Sequence, residues 1–229
     1  MENLNAVVLL SGGLDSATAA IIAKSQGYNL YGLTIAYGQR HLREVESAKI
    51  LAKELGMIQH RIVDISLREI GGSALTDDIP VPIGRSDSDI SSGIPITYVP
   101  ARNTIFLSVA LGYAEVVKAC VIVAGMNQVD YSGYPDCRSE YLQSFEKLAN
   151  LATKAGVEDD VEYKIYTPLI NMKKGEIITA GLELSLDYSL TWSCYIGGEL
   201  ACGKCDSCKI RLAGFAENGT KDPIKYENL

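Results

Sequence analysis

The segment Ser11-Gly12-Gly13-Leu14-Asp15-Ser16 lies between an apolar run, Ala6 to Leu10, and a helix-forming stretch, Ala17 to Lys24. A buried strand that ends in a Gly-rich turn and opens a helix leaves several backbone N–H groups unpaired and pointing one way, which suits a polyphosphate. The two glycines let the backbone come close to phosphate oxygens. Ser11 and Ser16 add hydroxyl donors, and Leu10 and Leu14 frame the turn. Asp15 either holds Mg²⁺ through water or braces the turn, and the residues alone leave both roles open. Gly and Ser are common in ordinary turns, but all six residues in this setting predict a phosphate grip. No lysine follows the glycines, so the grip is not a Walker loop.

The rest of the first half alternates strand and helix signals. Ala6 to Leu10 is followed by a helix from Leu14 to about Gln26 and a second strand, Leu30 to Ala36. Arg43 to Leu55 carries apolar residues at helical spacing and stops at Gly56, and Arg61 to Ile65 resumes as a third strand. Such alternation predicts a parallel sheet with right-handed crossovers. Asn103 to Val117 reads as a helix buried through Ile105, Phe106, Val109, Ala110, Tyr113 and Val117, and Cys120 to Ala124 as a fourth core strand. A helix from Ser139 to about Lys154 closed by Gly156, an edge-like strand at Tyr163 to Thr167, and helices at Lys173 to Leu184 and Cys208 to Glu217 complete the pattern. The expected organisation is an α/β nucleotide-binding domain over residues 1–185, with a parallel five-stranded sheet, and a packed C-terminal region over residues 186–229.

In open α/β sheets ligands bind beyond the carboxyl ends of the strands, near the point where strand order reverses. Three loops are therefore expected there. Tyr37-Gly38-Gln39-Arg40-His41 follows the second strand, which puts Gln39, Arg40 and His41 near the cleft, although a lone His is more often a structural hydrogen-bonder than a catalyst. Val99 to Thr104 opens a helix whose N-terminus would face the phosphates, with Arg102 as a bidentate fork. Asp130 to Arg138 concentrates aromatic, acidic and basic groups: Tyr131 or Tyr134 to stack on a flat ring, Asp130 or Asp136 to accept from an N–C–N edge, and Arg138 to meet an anionic substituent. Lys173 and Lys174 at a helix start oppose the macrodipole and hint at an anionic partner. The long Gly-, Ser-, Asp- and Pro-rich stretch from 71 to 93 is either functional or a mobile surface loop. Buried Cys120 and strand-opening His60 carry no functional signal.

With 21 Lys and Arg against 28 Asp and Glu, the formal charge of −7 disfavours a broad nucleic-acid-binding face. No apolar run reaches the length of a bilayer span and no secretory leader is visible, so a cytoplasmic protein is expected. Among its 6 cysteines, Cys194, Cys202, Cys205 and Cys208 have the spacing C-x7-C-x2-C-x2-C. In a cytosolic chain this argues for a metal site rather than disulfides. Four thiolates with two-residue gaps favour structural Zn²⁺; an iron–sulfur cluster is the competitor, but the Cys-Pro that continues the bacterial ferredoxin pattern is absent. Trp192, the single tryptophan, is expected to pack the cluster against the domain.

SGGxDS resembles the PP-loop of ATP pyrophosphatases, which cleave ATP between the α- and β-phosphates and pass AMP to a substrate oxygen. That loop alone would be shared with GMP, NAD and argininosuccinate synthetases and tRNA-thiolating enzymes. Together with YGQRH, YVPARNTIFLS, DYSGYPDCR, TWSCY and CGKCDSCKIR, the chain is similar to the QueC family across nearly its full length. The resemblance implies an adenine-nucleotide α-hydrolase-like fold and ATP-dependent conversion of 7-carboxy-7-deazaguanine and ammonia into the nitrile preQ0, with two ATP per turnover. It also implies Mg²⁺ and one Zn²⁺ as cofactors, a homodimer, and no nucleic-acid or membrane partner. Ser11, Gly12, Gly13, Asp15 and Ser16 would then hold pyrophosphate, Arg102 and Lys173 would add phosphate contacts, and the Asp130 to Arg138 loop would hold the heterocycle. A sulfur-inserting tRNA enzyme and a non-catalytic zinc-knuckle nucleic-acid-binding protein are the alternatives. The acidic charge weighs against the first, and the second leaves the phosphate grip unexplained.

Overall fold

The computed structural model describes residues 4–90, 93–129, 134–158 and 161–227. Five strands, β1 (Asn5–Leu9), β2 (Asn29–Ala36), β3 (Gln59–Asp64), β4 (Val121–Ala124) and β5 (Lys164–Tyr166), form one all-parallel sheet in the order β3-β2-β1-β4-β5. The helices are α1 (Leu14–Ser25), α2 (Arg43–Glu54), α3 (Asp87–Ile90), α4 (Arg102–Val116), α5 (Ser139–Ala152), α6 (Lys154–Glu158), α7 (Lys174–Glu183) and α8 (Asp206–Glu217).

The sheet is covered on both faces, as parallel strands require. Successive β1 side chains point to opposite sides, so Ala6 and Val8 enter one core and Val7 the other. The first core gathers Ala17, Ala20, Leu51, Ile177 and Phe215, from α1, α2, α7 and α8. The second takes Leu107, Ala110 and Leu111 from α4 and Leu142 and Phe145 from α5. β1 pairs with β2 on one side and β4 on the other, so chain order reverses between β1 and β4. A crevice opens beyond their carboxyl ends.

Three expectations need adjustment. The face of α4 that goes deepest is Asn103, Leu107, Ala110, Leu111 and Ala114. Ile105, Phe106, Val109, Tyr113 and Val117 flank it, half-buried, because Ala110 and Ala114 let the helix lie close on the sheet. Gly156 does not close α5. Thr153 takes an extended conformation and ends it, then accepts the Gly156 N–H at 3.2 Å to begin α6, inside which Gly156 lies. The last helix begins at Asp206, so Cys208 sits in its first turn.

The stretch from 71 to 93 is tied down in part. Ser73, Ala74 and Thr76 are buried. Arg40 donates to the carbonyls of Ala74 at 2.6 Å, Asp77 at 3.0 Å, and Ile79. Further along, Ile83 bridges to Cys205, Gly84 N–H donates to the Lys204 carbonyl at 3.0 Å, and Arg85 pairs with Asp206 at 2.8 Å.

Candidate active site

The phosphate loop is held in shape by its own side chains. The Ser11 and Ser16 hydroxyls meet at 2.9 Å, the Ser11 N–H donates to Ser16 Oγ at 3.1 Å, and the Gly13 N–H to Ser11 Oγ at 3.2 Å. Gly12, at φ +87°, presses on the first turn of α2 so tightly that an added Cβ would lie 2.0 Å from the Glu44 carbonyl oxygen. Gly125, just after β4, also packs tightly against Asp15 and Ser16, with an added Cβ 2.7 Å from backbone atoms. No side chain caps the N-terminus of α1. Ser11, Gly13, Leu14, Asp15 and Ser16 line the crevice between β1 and β4. A pre-shaped loop of backbone donors at the start of a 12-residue helix fits a polyphosphate.

Asp15 is braced. Its Oδ1 accepts from Lys174 Nζ at 2.6 Å, and Lys174 is buried in the first turn of α7. Lys173 is exposed and outside the crevice lining; its main-chain N–H bonds Glu176 Oε2 at 2.7 Å. The cation that bonds the phosphate loop's Asp15 is therefore Lys174, in the first helical turn, whereas the expected Lys173 is the extended N-cap residue before it and points to solvent.

Other expected contacts separate in the same way. Arg102 lines the crevice, its guanidinium 5.6 Å from the Tyr37 ring centroid, and Tyr134 lines it beside Cys137. Leu10 is buried beneath the loop. Gln39 turns back to accept the Tyr37 N–H at 2.9 Å, and Arg40 clamps the 71–93 stretch. His41 Nε2 bonds the Cys194 carbonyl at 2.9 Å. These three serve as supports and do not line the crevice. Asp136 Oδ2 accepts the Asn103 N–H at 3.1 Å, so the N-terminus of α4, expected to face phosphates, is capped from the next loop. Arg138 is exposed at the start of α5. Asp130 and Tyr131 lie outside the described residues. Cys137 is pushed up to about 12 by burial, which removes it as a ready nucleophile.

Sequence reasoning missed the other wall. Trp192, Ser193, Tyr195 and Ser207 all face the crevice, next to the ligand positions Cys194 and Cys208. Trp192 N–H donates to the Gly12 carbonyl at 2.9 Å and its indole N–H to the Cys194 carbonyl at 3.1 Å. Fully buried Arg211 forks onto Asp222 at 2.7 and 2.9 Å and also bonds Thr191 and Ser193. Glu44 was also missed: its side chain enters the crevice because Gly12 draws the start of α2 against the loop.

The sulfurs of Cys194, Cys202, Cys205 and Cys208 lie within 4.8 Å of one another and are buried. A tetrahedral ion with metal–sulfur bonds of about 2.3 Å needs sulfurs about 3.8 Å apart, and Cys202 and Cys208 stand at 3.9 Å. Main-chain N–H groups of Cys202, Lys204 and Cys205 donate to the cluster's sulfurs at 3.3 to 3.4 Å. The donor set fits a metal.

A doubly covered parallel sheet with a pre-formed SGGxDS loop at its reversal point defines an α/β nucleotide-binding protein of the PP-loop type, here with a four-cysteine cluster near its C-terminus that fits a metal. The chain belongs to the QueC family: the model for queuosine biosynthesis protein QueC matches residues 5–219. It is 58% identical over 228 residues, covering 99% of this chain and 98% of the relative, to a 7-cyano-7-deazaguanine synthase of Desulfatibacillum aliphaticivorans. It is equally 58% identical to one of Cupriavidus pinatubonensis, covering 97% and 98% of the two chains. An NMN synthetase structure from Francisella tularensis is a far more distant likeness, at 18% identity and a TM-score of 0.49 over 96% of this chain and 78% of that one. Among the described residues no helix is long and apolar enough to cross a membrane.

Proposed function

We propose that this protein is an ATP-dependent 7-cyano-7-deazaguanine synthase, which makes the nitrile from 7-carboxy-7-deazaguanine and ammonia. The observation that carries the reading is the near-full-length match to synthases of that name, in a chain whose phosphate loop opens into one crevice with an aromatic wall. A carboxylate is a poor electrophile. Its oxygen attacks the α-phosphorus of ATP, pyrophosphate leaves, and the acyl adenylate then yields to ammonia with loss of AMP. The amide oxygen attacks a second ATP, and loss of AMP together with the two N–H protons leaves the nitrile. Two ATP are consumed per product.

Ser11, Gly12, Gly13, Leu14 and Ser16 would hold the departing pyrophosphate against the N-terminus of α1. Bound Mg²⁺ would offset charge building on the phosphates. Lys174 holds Asp15 in place, so Asp15 would meet a hydrated cation from a fixed position. Arg102 supplies a second fixed charge, and Tyr134 a ring face. With no activated nucleophile in the described crevice, positioning carries much of the catalysis. The four cysteines would hold Zn²⁺, which fastens the second wall. Free ammonium is the nitrogen source, and two copies would assemble as a homodimer in the cytoplasm.

The test is mass-spectrometric product analysis after incubation with Mg-ATP, ammonium and 7-carboxy-7-deazaguanine. Nitrile formation with two AMP per product is expected. AMP without nitrile would redirect the reading to another acceptor, and no AMP at all would remove the enzymatic account.

A further inference from the structure

One carboxylate in the crevice has no task in the chemistry above. Glu44, in the first turn of α2, lines the crevice with Tyr37, Phe106, Arg102 and Trp192. Among the described residues its carboxylate accepts no hydrogen bond and makes no ion pair within 4 Å. Burial pushes it up to about 7, although Arg102 pulls the other way. Of the other acidic groups nearby, Asp15 is paired with Lys174, and Asp136, whose Oδ2 holds the start of α4 while its buried Oδ1 has no partner among the described residues, does not line the crevice. The residue is half-buried at the crevice wall, so its carboxylate is open to a ligand, and it has no protein donor among the described residues. It is complementary to a ligand that brings donors.

A carboxylate has two acceptor oxygens and, when ionised, nothing to donate. Its best planar partner therefore presents two parallel donors and no acceptor between them. The aminopyrimidinone ring of a deazaguanine does this through N1–H and the 2-amino group. Adenine offers its amino group beside the N1 acceptor, which would face a carboxylate oxygen across a repulsive contact. Tyr37, Phe106 and Trp192 supply apolar faces for a flat ring next to Glu44. Resting on the function proposed above, we infer that Glu44 reads the aminopyrimidinone edge of the substrate, accepting from N1–H and the 2-amino group. It thereby selects a deazaguanine acid over the analogue that lacks the 2-amino group.

Steady-state kinetics test this with each of the three substrates varied in turn, for wild type and Glu44→Gln, on the native acid and on its analogue without the 2-amino group. A site built around a buried polar group rejects the ligand that leaves it unpaired, so wild type should prefer the native acid by about 100-fold or more. In Glu44→Gln, KM for the native acid should rise by about 100-fold, kcat and KM for ATP should move far less, and the preference should fall below about 10-fold. A rise confined to KM for ATP, which would assign the carboxylate to the ribose hydroxyls, overturns the inference. So does discrimination retained in Glu44→Gln but lost in Asp130→Asn. A wild-type protein that makes AMP but no nitrile removes the functional reading itself, a result visible before any variant is compared.

Discussion

Lys173 and Lys174 are adjacent, alike in charge, and opposite in consequence. Lys174→Ala would leave the Asp15 carboxylate partly buried without its 2.6 Å partner, at a cost of about 3 kcal/mol. Urea unfolding should show that loss, and AMP release should fall with it. Lys173→Ala keeps the main-chain hydrogen bond to Glu176 and should stay within about 0.5 kcal/mol of wild type. Glu44 makes a second residue-scale prediction. Its folded-state value, about 7 against an ordinary 4.5, means that between those limits the folded protein keeps a proton the unfolded chain gives up. Stability from this group is therefore present at low pH and is lost as pH rises through the window. Arg102, Tyr37 and Cys194 are the charged or titratable groups coupled to it. Glu44→Gln should melt a few degrees above wild type at pH 8, with the gap closing toward pH 5. Equal melting at both values would show that burial does not strain this carboxylate.

At the scale of elements, the phosphate loop and α2 are locked through Gly12. Ala at this position would meet the Glu44 carbonyl oxygen and demand a left-handed backbone at φ +87°. Gly12→Ala should cost about 3 kcal/mol or more and abolish ATP cleavage, read by denaturant unfolding and AMP release. The loop was legible in sequence because its chemistry is local: strand, glycines, hydroxyls and helix follow one another. The alternation of strands and helices was legible for the same reason. Glu44 was not, because only the contact between Gly12 and α2 turns its side chain toward the crevice. The glycine at position 12 is the sequence signal for a close approach there, and it does not say which segment approaches. Asp136 carried every mark of a binding residue, and its Oδ2 is held by the main chain of Asn103, 33 positions away, a pairing set by packing that no local pattern shows. His41 and Arg40 lie beside the expected edge, but long-range carbonyls claim them.

In the whole molecule two segments far apart in sequence build one site. β1 supplies the phosphate loop, and the segment from Thr191 to Ser207 supplies the wall across from it, hung on the cysteine cluster. Chelation of the metal should release that wall and the strap at Ile83 and Gly84 together. Trp192, buried and the single tryptophan, is the reporter. Its fluorescence should shift to longer wavelength as ATP binding is lost and the strap becomes open to protease, with both restored by added Zn²⁺. ATP binding that survives complete chelation would show that the cluster does not support the crevice. The same arrangement has a temporal consequence. A ribosome emits the phosphate loop well before the cysteine cluster, so for an interval a nascent chain carries the glycine turn with nothing across from it. Phe215 and Tyr188, which close the core against β1, are still missing at that stage. A half-made chain therefore carries the phosphate loop without the wall that completes the crevice.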